Sequence, residues 1–208
     1  MAEHLRERPD ADAGVRDEKG GDAEKNGRAR EGGSSGILWF LGPVIVAVVV
    51  ALFVKTYVVT PYVVPTGSML ETIQEGDMLL GECVTLHFQD PEQDDIVTFR
   101  SPLDGETLIK RVVAVGGQTI DLVDGEVYVD GERLDEPYTG GKPTYSLSEY
   151  VGSAGIEYPY VVPEGTVWVM GDNRTDSRDS RYFGPVDVDD VTSRALFIYW
   201  PPSDIGGL

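Results

Sequence analysis

The chain has 208 residues, a length that fits one folded domain and excludes a large multidomain enzyme. Asp and Glu number 36 against 17 Lys and Arg, and the net charge of −19 argues against a nucleic-acid-binding protein, which needs a basic surface. The only cysteine, Cys83, excludes an internal disulfide and a cysteine-rich zinc site.

Residues 1–36 have few apolar side chains and are dominated by Gly, Asp, Glu and Arg. Such a segment buries too little apolar surface to offset the entropy that ordering costs. We therefore predict a disordered tail over 1–36.

Residues 37–54 form an uncharged run of 18 residues. As a helix the run would be about 27 Å long, close to the ~30 Å hydrocarbon core of a bilayer. A cleaved signal peptide would start nearer the N-terminus, and a buried core helix is usually amphipathic. We predict a transmembrane helix over 37–55, with Trp39 and Tyr57 near the two interfaces.

The basic residues that flank this run predict its orientation. Lys25, Arg28 and Arg30 precede it, whereas Lys55 is the only basic residue between the run and Arg100. Because cytoplasmic flanks carry the excess of Lys and Arg, we predict a single-pass plasma-membrane protein with a cytoplasmic N-terminus. Residues 56–208 would then form an extracytoplasmic domain.

This domain has the pattern of an all-β fold. Short runs rich in Val, Ile, Leu and aromatic residues are bounded by Gly, Pro and Asp, and they lie at 78–80, 95–100, 108–115, 119–122, 127–129, 166–170 and 195–200. Asp124-Gly125 and Asp130-Gly131 each carry the signal of a tight hairpin turn. Residues 137–160 are typical of an extended loop or a hairpin excursion.

The usual catalytic and metal-binding signals are weak. His4 lies in the tail, and nothing around His87 distinguishes it from an ordinary partly buried histidine. The acidic segment 172–180 does not match a calcium-binding EF-hand loop, whose sixth and twelfth positions are here Ser177 and Phe183 rather than Gly and Glu. We predict neither a metal nor an organic cofactor.

A serine activated by a neutral lysine is the remaining route to a nucleophile. Ser68 follows Gly67, which allows a sharp turn. Strand alternation places Lys110 on one face with Leu108 and Val112, where loss of hydration would lower its pKa and allow it to act as a base. The alternative is that Lys110 extends from an edge strand to water, and the spacing alone leaves both open.

Five segments, beginning with the apolar run, resemble those of type I signal peptidases, the membrane-anchored Ser-Lys proteases that remove signal peptides. The other four follow in the family's order: 65–69 with Thr72; 76–80; 95–99 with 109–113; and 171–174 with Ser177, 179–181 and Gly184. The resemblance implies an all-β, signal-peptidase-like barrel or sandwich core with a small inserted β-subdomain at about 119–165. One departure is Glu71, where the family usually has proline.

The resemblance also implies a role for each matching residue. Ser68 would be the nucleophile and Lys110 the general base. The Thr66 hydroxyl and the Ser68 amide would stabilise the oxyanion, and Ser177 would orient the lysine. The remaining residues would support the site: Asp179 and Arg181 as a salt bridge, and Asp172, Asn173 and Arg174 by shaping it.

The implied reaction is hydrolysis of preproteins through an acyl-enzyme, after small residues that precede the cut. The implied surroundings are a lipid bilayer and the neighbourhood of the secretion translocon. Two alternatives remain open: a non-catalytic, membrane-anchored sensor or binding module, and a self-cleaving repressor-type Ser-Lys protease, which the apolar run and the negative charge disfavour. The acidity further suggests a protein that works in high salt.

Overall fold

A computed structural model describes residues 35–208, so the tail predicted over 1–36 lies almost entirely outside the described residues. The chain divides into two units, Met1–Pro43 and Val44–Leu208. Both sheets and the candidate site lie in the second unit.

The longest helix, α1, extends from Ser35 to Tyr57 and contains Pro43. Every described side chain from Trp39 to Lys55 is exposed. Within the described part of the chain, no helix combines the length and apolar character required to cross a membrane. The span predicted over 37–55 includes side chains outside the described residues, and it stays a prediction.

Twelve strands follow α1 in the described residues: β1 Val59–Val63, β2 Met78–Glu82, β3 Ile96–Arg100, β4 Thr107–Val115, β5 Thr119–Val123, β6 Glu126–Val129, β7 Glu132–Arg133, β8 Tyr160–Val161, β9 Thr166–Met170, β10 Val186–Asp187, β11 Val191–Trp200 and β12 Gly206–Gly207. A one-turn helix, α2, covers Ser180–Phe183, and short 3-10 helices cover Thr85–His87, Pro137–Thr139 and Val188–Asp190. The predicted β-rich fold is confirmed for this domain.

The larger sheet has the order β1-β2-β11-β3-β4-β9-β10, with β12 paired to β11. Its described pairings are antiparallel, and β4 lies between β3 and β9. The sequence did not predict β1, whose Thr60 and Pro61 weaken the strand pattern. Pro61 is tolerated because β1 is an edge strand, where its missing N–H leaves no ladder bond unmade.

The smaller sheet has the order β7-β6-β5-β8, and all its strands lie between Thr119 and Val161. Its two turns are the predicted Asp-Gly pairs. Asp124 and Gly125 have φ of 52° and 85°, and Asp130 and Gly131 have φ of 52° and 81°. Positive φ at both central residues defines the type I′ turn, whose twist matches the flanking strands, so the hairpin prediction is confirmed.

Three buried apolar clusters stabilise the domain, and one of them lies beneath the predicted nucleophile segment. Met69 and Ile73 are fully buried there, together with Leu79 of β2, Ile96 of β3 and Ile198 of β11. Burial of two side chains that follow Ser68 closely in the sequence anchors this segment to the larger sheet.

Candidate active site

Ser68 lies in a turn between β1 and β2, with only 9% of its surface exposed. A Cβ atom placed on the preceding Gly67 would lie 2.9 Å from Cδ1 of Leu70 and 3.1 Å from Oε1 of Glu75. Because Gly67 has no side chain, the side chains of Leu70 and Glu75 can lie close to its backbone. Met69, fully buried, holds the turn from below.

Lys110 of β4 is the partner of Ser68. Its Nζ lies 2.7 Å from Ser68 Oγ and donates a second hydrogen bond, of 2.8 Å, to the carbonyl oxygen of Ile109. The residue is 3% exposed. Loss of hydration lowers the pKa of Lys110 to about 8, although the negative charges of Asp179 and Asp172 oppose this change.

The structure therefore decides between the two interpretations of Lys110. An edge-strand lysine that reaches water would be exposed, whereas Lys110 is buried in a strand with hydrogen-bonded neighbours on both sides. The alternative that Lys110 extends to water is wrong, because its amine contacts the Ser68 hydroxyl and not solvent.

Asn173 fixes the backbone of the nucleophile turn. Its side-chain Nδ2 donates to the carbonyl oxygen of Gly67 at 2.9 Å, and its backbone amide donates to the carbonyl oxygen of Ser68 at 3.1 Å. The segment after β9 thus holds both peptide groups on which the direction of the Ser68 side chain depends.

Replacing Asn173 by alanine is expected to lower kcat on a preprotein about 10- to 100-fold with a smaller change in KM. The substitution removes the hydrogen bond to Gly67, and small misplacements of a reacting group cost rates of this order. Steady-state cleavage assays measure the effect. Thr175→Ala, an exposed position in the same segment, is the control, and equal losses in the two variants would contradict the positioning role.

Asp172 joins the two segments that carry the serine and the lysine. Its carboxylate accepts two hydrogen bonds from Arg111, at 2.9 and 2.7 Å, and one of 2.5 Å from the Thr72 hydroxyl. Thr72 is four residues after Ser68, and Arg111 follows Lys110 directly. A single buried carboxylate therefore sets the distance between the nucleophile segment and β4.

Arg174 connects the same region to residues that the sequence did not single out. Its guanidinium donates to Glu136 at 2.8 and 2.6 Å and to the Thr144 hydroxyl at 2.8 Å. The ring of Tyr138 lies 3.9 Å from the guanidinium carbon of Arg111. These contacts link the loop after β7 to Arg174 and to Arg111, the residue after Lys110, and no motif in that loop indicated them.

Asp179 and Arg181 form the predicted salt bridge. Two bonds of 2.9 and 2.8 Å join their side chains, both fully buried. Burial alone would raise the pKa of Asp179, but Arg181 and the backbone amide of Gly171 hold it below its usual range. Arg181 also donates to the carbonyl oxygen of Arg174 at 2.9 Å, which fixes the turn between them.

Thr66 and Ser177, the two other residues predicted to act at the site, lie in the region of the Ser68–Lys110 pair. Thr66 is exposed and lines the same cleft as Ser68. Ser177 Oγ is buried and forms no hydrogen bond of ordinary geometry with a described residue, although its proximity helps to lower the pKa of Asp179. The predicted hydrogen bond from Ser177 to Lys110 is therefore not formed here, and its orienting role stays a prediction.

Metal-binding side chains do not gather at this site. Among the described residues, no group of three or more His, Cys, Asp or Glu is placed to hold a metal ion. His87 is exposed, and its Nδ1 lies 2.8 Å from the carbonyl oxygen of Cys83. His4 lies outside the described residues.

The dyad opens into a cleft of about 400 Å³, whose lining includes Pro65, Thr66, Gly67, Leu108 and the side chains of Ser68 and Lys110. A hydroxyl beside an amine that is readily neutral provides a nucleophile and a base in one contact. The cleft gives an extended peptide access to both. This arrangement suits acyl transfer from a peptide bond.

Comparison with known proteins agrees with this chemistry. The family described as signal peptidase, peptidase S26, matches residues 37–200 of the chain. The chain belongs to the signal peptidase S26 family. This match confirms the resemblance noted in the sequence. Members of the family are serine endopeptidases.

Several relatives match over most of their length. The probable signal peptidase I-1 of Synechocystis is 39% identical over 173 residues, which cover 79% of this chain and 83% of the relative. Signal peptidase I of Leptolyngbya laminosa is 32% identical, covering 78% and 79% of the two chains. Signal peptidase I of Mycobacterium tuberculosis is 31% identical, covering 95% and 83%.

Proposed function

We propose that this chain removes signal peptides from translocated preproteins, with Ser68 as nucleophile and Lys110 as general base. The observation that carries the proposal is the 2.7 Å contact between the two side chains, both largely shielded from water. Membership of the signal peptidase family supplies the substrate class.

The reaction proceeds through an acyl-enzyme. Neutral Lys110 takes the proton of Ser68 Oγ as this oxygen attacks the scissile carbonyl carbon. The Ser68 amide and the Thr66 hydroxyl donate to the oxyanion of the tetrahedral intermediate, and Thr66 is suited to this because it faces the open cleft. Protonated Lys110 then donates to the leaving amine as the peptide bond breaks.

Deacylation uses the same two groups in reverse. Lys110, neutral again after the amine departs, takes a proton from water, and the resulting hydroxide adds to the acyl carbon. Collapse of the second tetrahedral intermediate breaks the ester bond and returns the proton to Ser68 Oγ. No metal or organic cofactor takes part in this scheme.

We also propose that residues 37–55 anchor the enzyme in the plasma membrane, with the catalytic domain on the extracytoplasmic side. Support comes from the uncharged run 37–54 and its basic N-terminal flank. Ser68 is 14 residues beyond Val54 by numbering, which suits a substrate held at the same surface by its own apolar signal segment. Confinement near the translocon would raise the effective concentration of the scissile bond.

Incubating the detergent-solubilised protein with a model preprotein, and mapping the products by mass spectrometry, tests this function. We expect one cut, after small side chains at the first and third positions before the scissile bond. Ser68→Ala is the control for contaminating proteases. An intact preprotein, or the same cut by the Ser68→Ala variant, would contradict the proposal and favour a non-catalytic binding module.

A further inference from the structure

The rim of the catalytic cleft is acidic. Arg178 is the only cationic side chain among the described residues that line the cleft, apart from buried Lys110. Four carboxylates line the same space: Glu75, Asp104, Glu106 and Asp176. The cleft into which Ser68 opens therefore carries an excess of negative charge beside the reacting groups.

Among the residues that the structure describes, one of these four carboxylates has a cationic partner. Arg178 Nη2 lies 3.6 Å from Asp104 Oδ2. Hydrogen bonds from the Ser101 hydroxyl and the Glu106 amide lower the pKa of Asp104, so it stays ionised. The carboxylates of the other three form no hydrogen bond or ion pair with any described residue, and all three are exposed in the cleft.

Glu75 brings this charge next to the nucleophile. Its Oε1 lies 3.1 Å from the position that a Cβ atom on Gly67 would occupy, and Gly67 directly precedes Ser68. Glu75 and Ser68 also line the same cleft, so a peptide that presents its scissile carbonyl to Ser68 lies in a space that this carboxylate borders. A cleft lined mostly by one sign of charge focuses its electric field more than charges scattered over an open surface do.

Resting on the function proposed above, we propose that Glu75, Glu106 and Asp176 make this peptidase select preproteins with a lysine or arginine close to the scissile bond. A cationic substrate side chain supplies the partner that these carboxylates lack among the described residues. An acidic side chain at the same place is repelled and leaves the cleft charges uncompensated.

The test uses matched peptide substrates with one cut site, which differ only in carrying Lys, Gln or Glu at the second position before or the first two positions after the cut. We expect kcat/KM for the best Lys peptide to exceed that for its Glu counterpart about 10-fold in low salt, as expected for electrostatic steering. The ratio should fall towards one in 0.5 M NaCl, a salt concentration at which exposed charges are screened over a few ångströms.

Variants separate the cleft charges from the general acidity of the protein. In the triple variant Glu75→Gln, Glu106→Gln and Asp176→Asn, the ratio of kcat/KM for the Lys peptide to that for the Glu peptide should fall close to one. Each single variant should lower this ratio in part. The double variant Glu157→Gln and Asp190→Asn, which removes exposed carboxylates outside the cleft lining, should keep the ratio. An equal ratio in the triple and double variants, or no preference at any of the three positions, would overturn the proposal.

The Gln peptides distinguish failure of this proposal from failure of the proposed function. Cleavage of the Gln peptides at the mapped site, without discrimination between Lys and Glu, would leave the peptidase intact and remove the selectivity. Absence of cleavage of every peptide and of the model preprotein would contradict the function on which the selectivity rests.

Discussion

Replacing Ser68 by alanine, or Lys110 by methionine, is expected to lower preprotein cleavage at least about 10³-fold while the domain stays folded. The two side chains act as a unit across 2.7 Å, so loss of either removes the activated nucleophile. The double variant should be no less active than either single one. Cleavage assays with a labelled preprotein measure the loss.

Matched controls come from the same chain. Ser146→Ala removes an exposed hydroxyl, and Lys142→Met removes a lysine that is 30% exposed and 3.9 Å from Glu71. Both should retain activity, and circular dichroism should report the same fold for all four variants. A serine-reactive phosphonate should label the wild type but not Ser68→Ala. Substantial cleavage by either dyad variant would exclude the proposed mechanism.

Local chemistry explains which features were predictable from the sequence. Asp124-Gly125 and Asp130-Gly131 specify their turns almost alone, because these residue types tolerate positive φ. The strand around Lys110 was equally predictable, since Val, Ile and Leu make up most of the run 108–115. The resemblance to signal peptidases then connected that lysine to Ser68, which is 42 residues away in sequence.

Non-local contacts explain the rest. Asp172 bonds to Thr72 across 100 residues, and Arg174 bonds to Glu136 across 38. Spacing carries no signal for such pairs, because each depends on the strand order of the larger sheet and on the loop after β7. Tyr138 was missed for the same reason, since nothing adjacent in sequence indicates that its ring covers Arg111. The position of β11 between β2 and β3 likewise follows from global packing rather than from any local pattern.

The rate of cleavage is expected to depend on pH. With the pKa of Lys110 lowered to about 8, the neutral base form accumulates as pH rises through this value. We expect kcat/KM to increase about tenfold per pH unit well below 8 and to level off above it. A profile measured between pH 6 and 9.5 checks this, and activity that falls as pH rises from 7 to 8 would contradict the assignment of Lys110 as base.

The same change in pKa predicts that the inactive Lys110→Met variant is more stable than the wild type near neutrality. In the unfolded chain the pKa of Lys110 returns to about 10.5, so between about 8 and 10.5 the unfolded state binds more protons and stability rises with pH. Below about pH 8 the folded protein carries the full cost of a buried ammonium, on the order of 3 kcal/mol at 1.36 kcal/mol per pH unit. Methionine removes this cost, while loss of the amine's hydrogen bonds offsets part of the gain.

Urea unfolding at pH 7 and pH 10 measures the difference directly. We expect Lys110→Met to raise the free energy of unfolding by about 2 kcal/mol at pH 7, and this gain should shrink at pH 10 because the wild-type amine is then neutral when folded. Lys142→Met removes the same formal charge from a half-buried position, and its effect should not change in this way between the two pH values. A Lys110→Met variant that is less stable than the wild type at pH 7, or a difference that does not vary with pH, would contradict this prediction. Either result would mean that the amine keeps its hydration and that its pKa is not lowered. The dyad would then lack the base on which acylation depends.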